Sequence, residues 1–204
     1  MHVHTTRLAL CAIALGATAS AGLLQTGFIT PTDGLLINDS VTHLQWLTPV
    51  YTRGHTYNDS VVQSVITSYG FRYATATEAT DLINRNFGNP PTMSPGTPAG
   101  YTAATAFMNL FGVAEYVTCG APCPRTQGLT SDIGTAGTHL GFGMITVGSN
   151  GWALMNNAWP DTIADTQMGS FLVRATPTAA PEPASAALVG LGILAVLFAR
   201  RRFT

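Results

Sequence analysis

The 204-residue sequence contains no lysine, and all nine of its basic residues are arginine. Charged residues make up only 9% of the chain, against about 25% in an ordinary soluble domain. Proteins that bind nucleic acids need a basic surface patch, so this composition excludes that class of partner. A chain poor in charge and rich in threonine, glycine and asparagine is typical of an exported protein with many strands and turns.

Residues that carry out catalysis or bind metals are also scarce. The three histidines of the central region, His43, His55 and His139, have no second histidine at metal-ligand spacing. Asp161 and Asp165 offer oxygen ligands, but their spacing matches no known calcium loop. A catalytic site requires a nucleophile with a base and an orienting group, or a metal cluster. The sequence therefore predicts no catalytic residue, no metal site and no cofactor.

The first 21 residues have the pattern of a secretory signal peptide. Arg7 supplies a positive charge, and an apolar run follows from Leu8 to Ala17. Ala19 and Ala21 then satisfy the rule of two small residues around one intervening position at a cleavage site. We therefore expect the general secretion machinery to export the chain and signal peptidase to cleave it after Ala21.

Two cysteines remain after this cleavage, Cys119 and Cys123, in the stretch TCGAPCPR. Paired cysteines in an exported protein usually form a disulfide. The three residues between them favour a turn, which brings the two side chains together. The sequence therefore predicts a local disulfide.

The C-terminal end combines an apolar segment with a basic end. Residues 184–199 carry no charge, and Arg200, Arg201 and Arg202 follow directly. As a helix this segment is about 24 Å long, and arginine side chains extend its reach towards the headgroups. Because arginines remain on the cytoplasmic side, the pattern predicts a single transmembrane helix with the body outside the cytoplasm.

The tripeptide Pro181, Glu182 and Pro183 precedes this segment. The complete arrangement, residues 179–204, resembles the PEP-CTERM sorting signal of exported proteins from Gram-negative bacteria. The resemblance implies a transient inner-membrane anchor that an exosortase-like membrane protease processes near the tripeptide. It also implies a final location at the outer surface or outside the cell, in a setting where exopolysaccharide is common.

The intervening body, residues 22–178, has mixed α and β patterns. Residues 38–50 alternate like a strand with His43 on its polar face, and Thr56 and Asp59 predict a capping box before the helix that follows. A second capping box, Thr75 and Glu78, precedes an apolar helical stripe formed by Ala79, Leu82 and Ile83. A third short helix is expected from Tyr101, and short strands from Gly128 onwards.

This order predicts an extracytoplasmic α+β domain with two or three short helices and antiparallel strands. The strand ending THLQW, the stretch from Gly70 to Leu82 and the closing strand FLVRAT also resemble bacterial C-type-lectin-like domains. The chain lacks the core disulfides and the Glu-Pro-Asn motif of animal lectins, so calcium-dependent sugar binding does not follow. The alternative fold is a β-sandwich with one or two helices.

The sequence indicates the destination of the protein more clearly than its activity. We expect a non-enzymatic protein of the cell surface or extracellular matrix that associates with exopolysaccharide or the envelope. Trp152 and Trp159 are the candidate ligand-binding residues. A secreted hydrolase is one alternative and needs a histidine that converges on a carboxylate. An ice- or surface-binding protein is another and needs a regular threonine array on parallel strands.

Overall fold

The computed structural model describes residues 22–177, apart from Met93 and residues 119–121. One sheet contains β1 (Leu23–Thr26), β2 (Leu36–Asp39), β3 (Leu44–Leu47), β4 (Arg72–Tyr73) and β10 (Leu172–Ala175) in the order β1-β2-β3-β10-β4. The second contains β5 (Glu115–Thr118), β6 (Pro122–Ile133), β7 (Thr138–Val147) and β8 (Asn150–Pro160), and β9 (Gly169–Ser170) pairs in parallel with β6. The helices are α1 (Ser60–Tyr69), α2 (Ala76–Phe87) and α3 (Pro98–Phe111). The predicted mixed α+β class is confirmed.

The largest hydrophobic cluster joins both sheets to helices α2 and α3. Trp46 from the first sheet and Phe142 from the second are fully buried with Phe107 and Phe111 of α3. Phe171 connects them, because its ring makes edge contacts with Trp46, Phe107 and Phe111. Since helices supply so much of this core, the arrangement favours α+β over a sandwich of two sheets.

No helix within the described residues is long and apolar enough to cross a membrane. The predicted transmembrane segment, residues 184–199, lies outside those residues, as do the signal peptide and the remainder of the tail. The predicted boundaries at residues 21 and 178 therefore stay predictions.

The predicted single strand over residues 38–50 is wrong, because the chain turns back within it. β2 ends at Asp39 and β3 begins at Leu44, and the two strands pair antiparallel. The Asp39 carboxylate accepts hydrogen bonds from the backbone N–H groups of Val41 and Thr42, a turn that aspartate favours. His43 lies in this turn with φ 56°, so it does not occupy the polar face of a strand.

Asp39 is also tied to helix α2. Arg85 Nη2 lies 2.9 Å from Asp39 Oδ2, and the Asp39 side chain is fully buried while that of Arg85 is 31% exposed. One carboxylate therefore holds the β2–β3 turn and connects it to a helix 46 residues away.

Helix α1 begins three positions later than the predicted capping box implies. Its N-cap is Asp59, whose side chain accepts a hydrogen bond from the Val61 N–H, and it ends at Gly70 with φ 68°. The predicted capping box of Thr56 and Asp59 is therefore wrong. Asp59 alone caps the helix, because a short carboxylate satisfies the free N–H groups of the first turn.

The second predicted capping box is confirmed. Thr75 accepts a hydrogen bond from the Glu78 N–H, and Glu78 accepts one from the Thr75 N–H. Arg72 donates to both carboxylate oxygens of Glu78, at 2.6 and 2.8 Å. The predicted apolar stripe of Ala79, Leu82 and Ile83 is fully buried.

Removing this cap gives a direct test of its contribution. We expect Thr75→Ala to lower the free energy of unfolding by about 1 kcal/mol, because the Glu78 N–H loses its partner. Thr77→Ala is the control, since Thr77 is exposed on the same first turn and should change stability by less than about 0.5 kcal/mol. Urea unfolding measures both, and equal effects would contradict the assignment of the cap.

The closing strand β10 is held by Arg174. Its Nε donates to Gln45 Oε1 at 2.7 Å, and its Nη1 donates to the carbonyl of Tyr69 at 2.9 Å. The guanidinium carbon also lies 4.6 Å from the centre of the Phe71 ring, within the range of a cation–π contact. Arg174 thereby connects β10 to β3 and to the end of α1.

Candidate functional site

Trp152 lies in a surface cleft at the end of the β7–β8 hairpin. The cleft has a volume of about 340 Å³. Its lining residues are Ser94, Pro95, Ile145, Val147, Asn150 and Trp152. The strand register places Ile145 directly opposite Trp152 and Val147 opposite Asn150, so two adjacent cross-strand pairs form its floor.

A loop held against β8 forms one wall of this cleft. Thr97 bridges to Gly151 of β8 through two backbone hydrogen bonds. Gly96 has φ +72°, and a Cβ atom there would lie 2.3 Å from the Gly151 oxygen and 2.9 Å from the Trp152 ring. Only glycine allows this approach, so the sequence positions the loop next to the indole.

Trp159 lies at the opposite end of β8, directly across from His139. Both tryptophans are partly exposed. Their partners on β7, Ile145 and His139, lie six positions apart, which corresponds to about 20 Å. The two predicted ligand-binding residues therefore lie on one strand but do not line one cleft.

Three stacked rings lie beside the Trp159 end of the sheet. Tyr57 is in the middle, with its ring centre 3.6 Å from that of His139 and 4.1 Å from that of Tyr73. On the far side of the stack, the Tyr73 hydroxyl donates to the backbone carbonyl of Tyr57 at 2.6 Å. At the other end, His139 Nδ1 lies 2.6 Å from Asp161 Oδ1.

The charge state of the two tyrosines follows from their surroundings. Burial, together with the negative charges of Asp161 and Asp132, raises the pKa of Tyr57 to about 12. Burial also raises the pKa of Tyr73 well above its usual range. Both phenols are therefore neutral at physiological pH, so neither hydroxyl is available there as a phenolate base.

A second cleft opens beside these rings, with a volume of about 510 Å³. Its lining residues are Tyr57, Ile66, Arg72, Tyr73, Thr75 and Ser131. Both faces of the Tyr57 ring are covered by its neighbours in the stack, so this ring offers a ligand its edge. The exposed Arg72 guanidinium is held by Glu78. The cleft is therefore a weaker candidate for stacking on a ligand than the one at Trp152.

Sequence reasoning missed the contact between His139 and Asp161 because 22 residues separate them. His55 also has a carboxylate neighbour, since its Nδ1 lies 3.2 Å from Asp59 Oδ1. His43, in the turn described above, has no such contact among the described residues. Two of the three isolated histidines are thus paired with aspartates.

The structure describes no potential metal centre within residues 22–177 outside the gaps at 93 and 119–121. Asp165 accepts a hydrogen bond from the Gln167 N–H, so it stabilises its own loop. Cys123 is buried, and Cys119 lies outside the described residues. The disulfide between these cysteines stays a prediction.

The remaining predicted site residues belong to the two ends of the chain. Residues 179–202 match the PEP-CTERM protein-sorting motif. The chain carries a PEP-CTERM sorting signal. The matched range includes the predicted motif residues Pro181, Glu182, Pro183, Arg200, Arg201 and Arg202.

The PEP-CTERM tail indicates a protein that passes the membrane and is sorted by exosortase to the cell surface. No curated protein and no solved structure matches the chain. The resemblance of the body to C-type-lectin-like domains thus gains no support from these comparisons. The signal-peptide residues Ala19 and Ala21 lie outside the described part of the chain.

Proposed function

We propose that this PEP-CTERM protein is a non-enzymatic surface protein whose body binds polysaccharide of the cell envelope or matrix through the Trp152 cleft. The observation that carries the proposal is the composition of that cleft. A partly exposed indole stands next to apolar Ile145 and Val147 and to the polar side chains of Ser94 and Asn150. Small-molecule sites combine a concave apolar surface with a few polar groups in this way.

The chemistry suits a sugar with little or no charge. The indole face packs against the C–H groups of a pyranose ring, and the side-chain amide of Asn150 both donates to and accepts from sugar hydroxyls. No charged side chain lines the cleft. Binding of this kind needs no calcium, which agrees with the missing Glu-Pro-Asn motif.

The lectin-like resemblance remains part of this proposal. The stretches THLQW and FLVRAT, on which that resemblance rests, overlap β3 and β10, and these two strands are neighbours in the first sheet. Such pairing of an early strand with the last one supports a body that closes on itself.

Replacement of Trp152 tests the proposal. We expect Trp152→Ala to weaken binding to the polysaccharide of the native host about tenfold or more, because an aromatic anchor that becomes buried against the ligand carries much of a site's affinity. Isothermal titration calorimetry measures the affinity. Leu24→Ala is the control, since Leu24 is 65% exposed on the other sheet. Equal affinities for Trp152→Ala and the wild type would remove the cleft from the proposal.

A secreted hydrolase is the second candidate, and the contact between His139 and Asp161 favours it. An aspartate at Nδ1 orients an imidazole so that Nε2 acts as a base. Among the described residues, however, no serine, threonine or cysteine side chain is hydrogen-bonded to His139. Release of reducing ends from the host polysaccharide by the wild type, lost in His139→Gln, would favour the hydrolase over the binding protein.

The ice- or surface-binding alternative requires threonines in a regular array on parallel strands. Within the described part of the chain, β6 and β9 form the one parallel pair assigned, over two positions. This arrangement gives the alternative no support.

A further inference from the structure

Trp152 and Trp159 share one face of the second sheet, although they lie an odd number of positions apart along β8. Directly opposite residues of antiparallel strands lie on the same face. The partners of the two tryptophans, Ile145 and His139, are six residues apart on β7 and therefore also share a face. The two indoles thus mark the ends of a single surface.

A bulge in β8 makes this possible. The register passes from Gly143 opposite Leu154 to Gly141 opposite Asn157, so β8 contains one residue more than β7 here. Asn156, within the extra length, has φ 58°, a left-handed conformation that asparagine tolerates better than most residues. Without the extra residue, Trp159 would lie on the core side of the sheet.

The Trp159 end of this face holds polar atoms without partners. Gln127 is fully buried, and neither Oε1 nor Nε2 has a hydrogen-bond partner among the described residues. The same holds for Trp159 Nε1. A Cβ atom on Gly141 would lie 3.0 Å from Trp159 Nε1 and 3.2 Å from Gln127 Nε2, so both groups surround one point above Gly141.

Buried polar atoms that lack partners are rare and destabilising. Each such group in a folded protein needs an explanation, and a functional site is one of those explanations. The unpaired groups of Trp159 and Gln127 restrict which ligand groups can bind them. The indole N–H donates, whereas the glutamine amide both donates and accepts.

We propose that Trp159 and Gln127 form a second polysaccharide subsite, which binds a sugar substituent that both accepts and donates hydrogen bonds. A hydroxyl or an acetamido group meets this requirement. The proposal rests on the proposed function and adds to it the length and chemistry of the glycan. The amide of Gln127 and the indole N–H of Trp159 both lie beside Gly141, so one substituent placed there contacts both groups.

The separation of the two subsites sets the length of the ligand. A glycan that contacts both tryptophans spans about 20 Å along the strand. Short oligosaccharides reach the Trp152 cleft alone. Longer ones engage both subsites, and the second contact then forms at high effective concentration.

The experiment uses the protein purified as its host exports it, with two series of oligosaccharides of increasing length. One series is a β-1,4-glucan, and the other consists of the corresponding N-acetylglucosamine oligomers. In the wild type we expect affinity to rise at least tenfold once the chain is long enough to span both subsites. A preference for the second series identifies acetamido groups as the ligand, and equal binding of both identifies hydroxyls.

Gln127→Met and Trp159→Phe are the informative variants. Gln127→Met should raise the melting temperature, because it replaces a buried amide that has no partner with an apolar chain of similar size. It should also lower the affinity for long oligosaccharides about tenfold while leaving that for short ones unchanged. Trp159→Phe keeps a ring but loses the N–H and should have the same effect on binding.

Other outcomes separate the two proposals. A stabilised Gln127→Met with unchanged affinity for long chains would mean that the amide serves the fold alone, and the second subsite would be overturned. If Trp152→Ala still loses binding in that case, the proposed function stands. Failure of the wild type to bind either series would overturn the second subsite, whereas the proposed function falls only if the polysaccharide of the native host also fails to bind.

Discussion

Replacing Asp39 with alanine is expected to lower the free energy of unfolding by about 3 kcal/mol, because removal of one partner from a buried ion pair leaves an unsatisfied charge. The Asp39 side chain is fully buried and accepts from Arg85 and from the N–H groups of Val41 and Thr42. Its loss therefore frees both a guanidinium and the backbone of the β2–β3 turn. Because Arg85 is partly exposed, we expect the lower end of the range for such pairs.

The matched control is Asp81→Ala on the same helix as Arg85. Asp81 is exposed, so its removal should change stability by less than about 0.5 kcal/mol. Urea unfolding at neutral pH measures both variants. An effect of Asp39→Ala no larger than that of Asp81→Ala would show that the Asp39–Arg85 ion pair makes no net contribution to the free energy of unfolding.

The Asp39 carboxylate should also make the free energy of unfolding depend on pH. Desolvation raises the pKa of Asp39, but the hydrogen bonds from Arg85 and from the turn outweigh it, so the pKa lies below its ordinary value. A depressed pKa contributes stability that is fully present above the unfolded-state value, about 3.9, and is lost as the pH falls through the folded-state value. Wild-type stability should therefore fall more steeply below about pH 4 than that of Asp39→Ala.

Replacing Pro181, Glu182 and Pro183 together with alanine is expected to abolish processing of the tail in an exosortase-containing host. These residues lie within the sorting motif at residues 179–202, near the expected site of cleavage. The unprocessed chain should keep its apolar segment and remain in the membrane fraction. Intact-mass analysis of the membrane and medium fractions measures the result, with the wild type expected as a species that starts at Gly22 and ends near residues 181–183.

Pro177→Ala is the control for this variant. It also removes a proline, but it lies outside the matched motif, so processing should be unchanged. A wild-type species that retains Arg200, Arg201 and Arg202 in the membrane would contradict the expectation. The tail would then be a permanent anchor.

Features encoded by neighbouring residues could be predicted from the sequence. The Thr75–Glu78 cap and the stripe of Ala79, Leu82 and Ile83 depend on spacings of three and four residues, which a helix imposes. The errors arose where one aspartate had several possible roles. Asp39 reverses the chain at a point where periodicity suggested a continuing strand, and Asp59 caps the helix by itself.

The candidate site depends on distant pairs, which no local pattern contains. His139 meets Asp161 because His139 lies near the start of β7 and Asp161 directly follows β8, and the antiparallel pairing brings these two ends together. The common face of Trp152 and Trp159 depends on a single inserted residue near Asn156. Strict alternation along the strand would have placed the two rings on opposite faces.

The position of β10 has a mechanical consequence. The tail follows this strand in sequence, so traction on a membrane-held tail acts first on Leu172–Ala175. β10 lies between β3 and β4, and Arg174 ties it to Gln45 and to Tyr69. Removal of β10 from the sheet requires its hydrogen bonds to β3 and to β4 to break together. The edge strand β1 is bonded to one neighbour, β2. Force applied through the tail would therefore act on a strand that is paired on both sides.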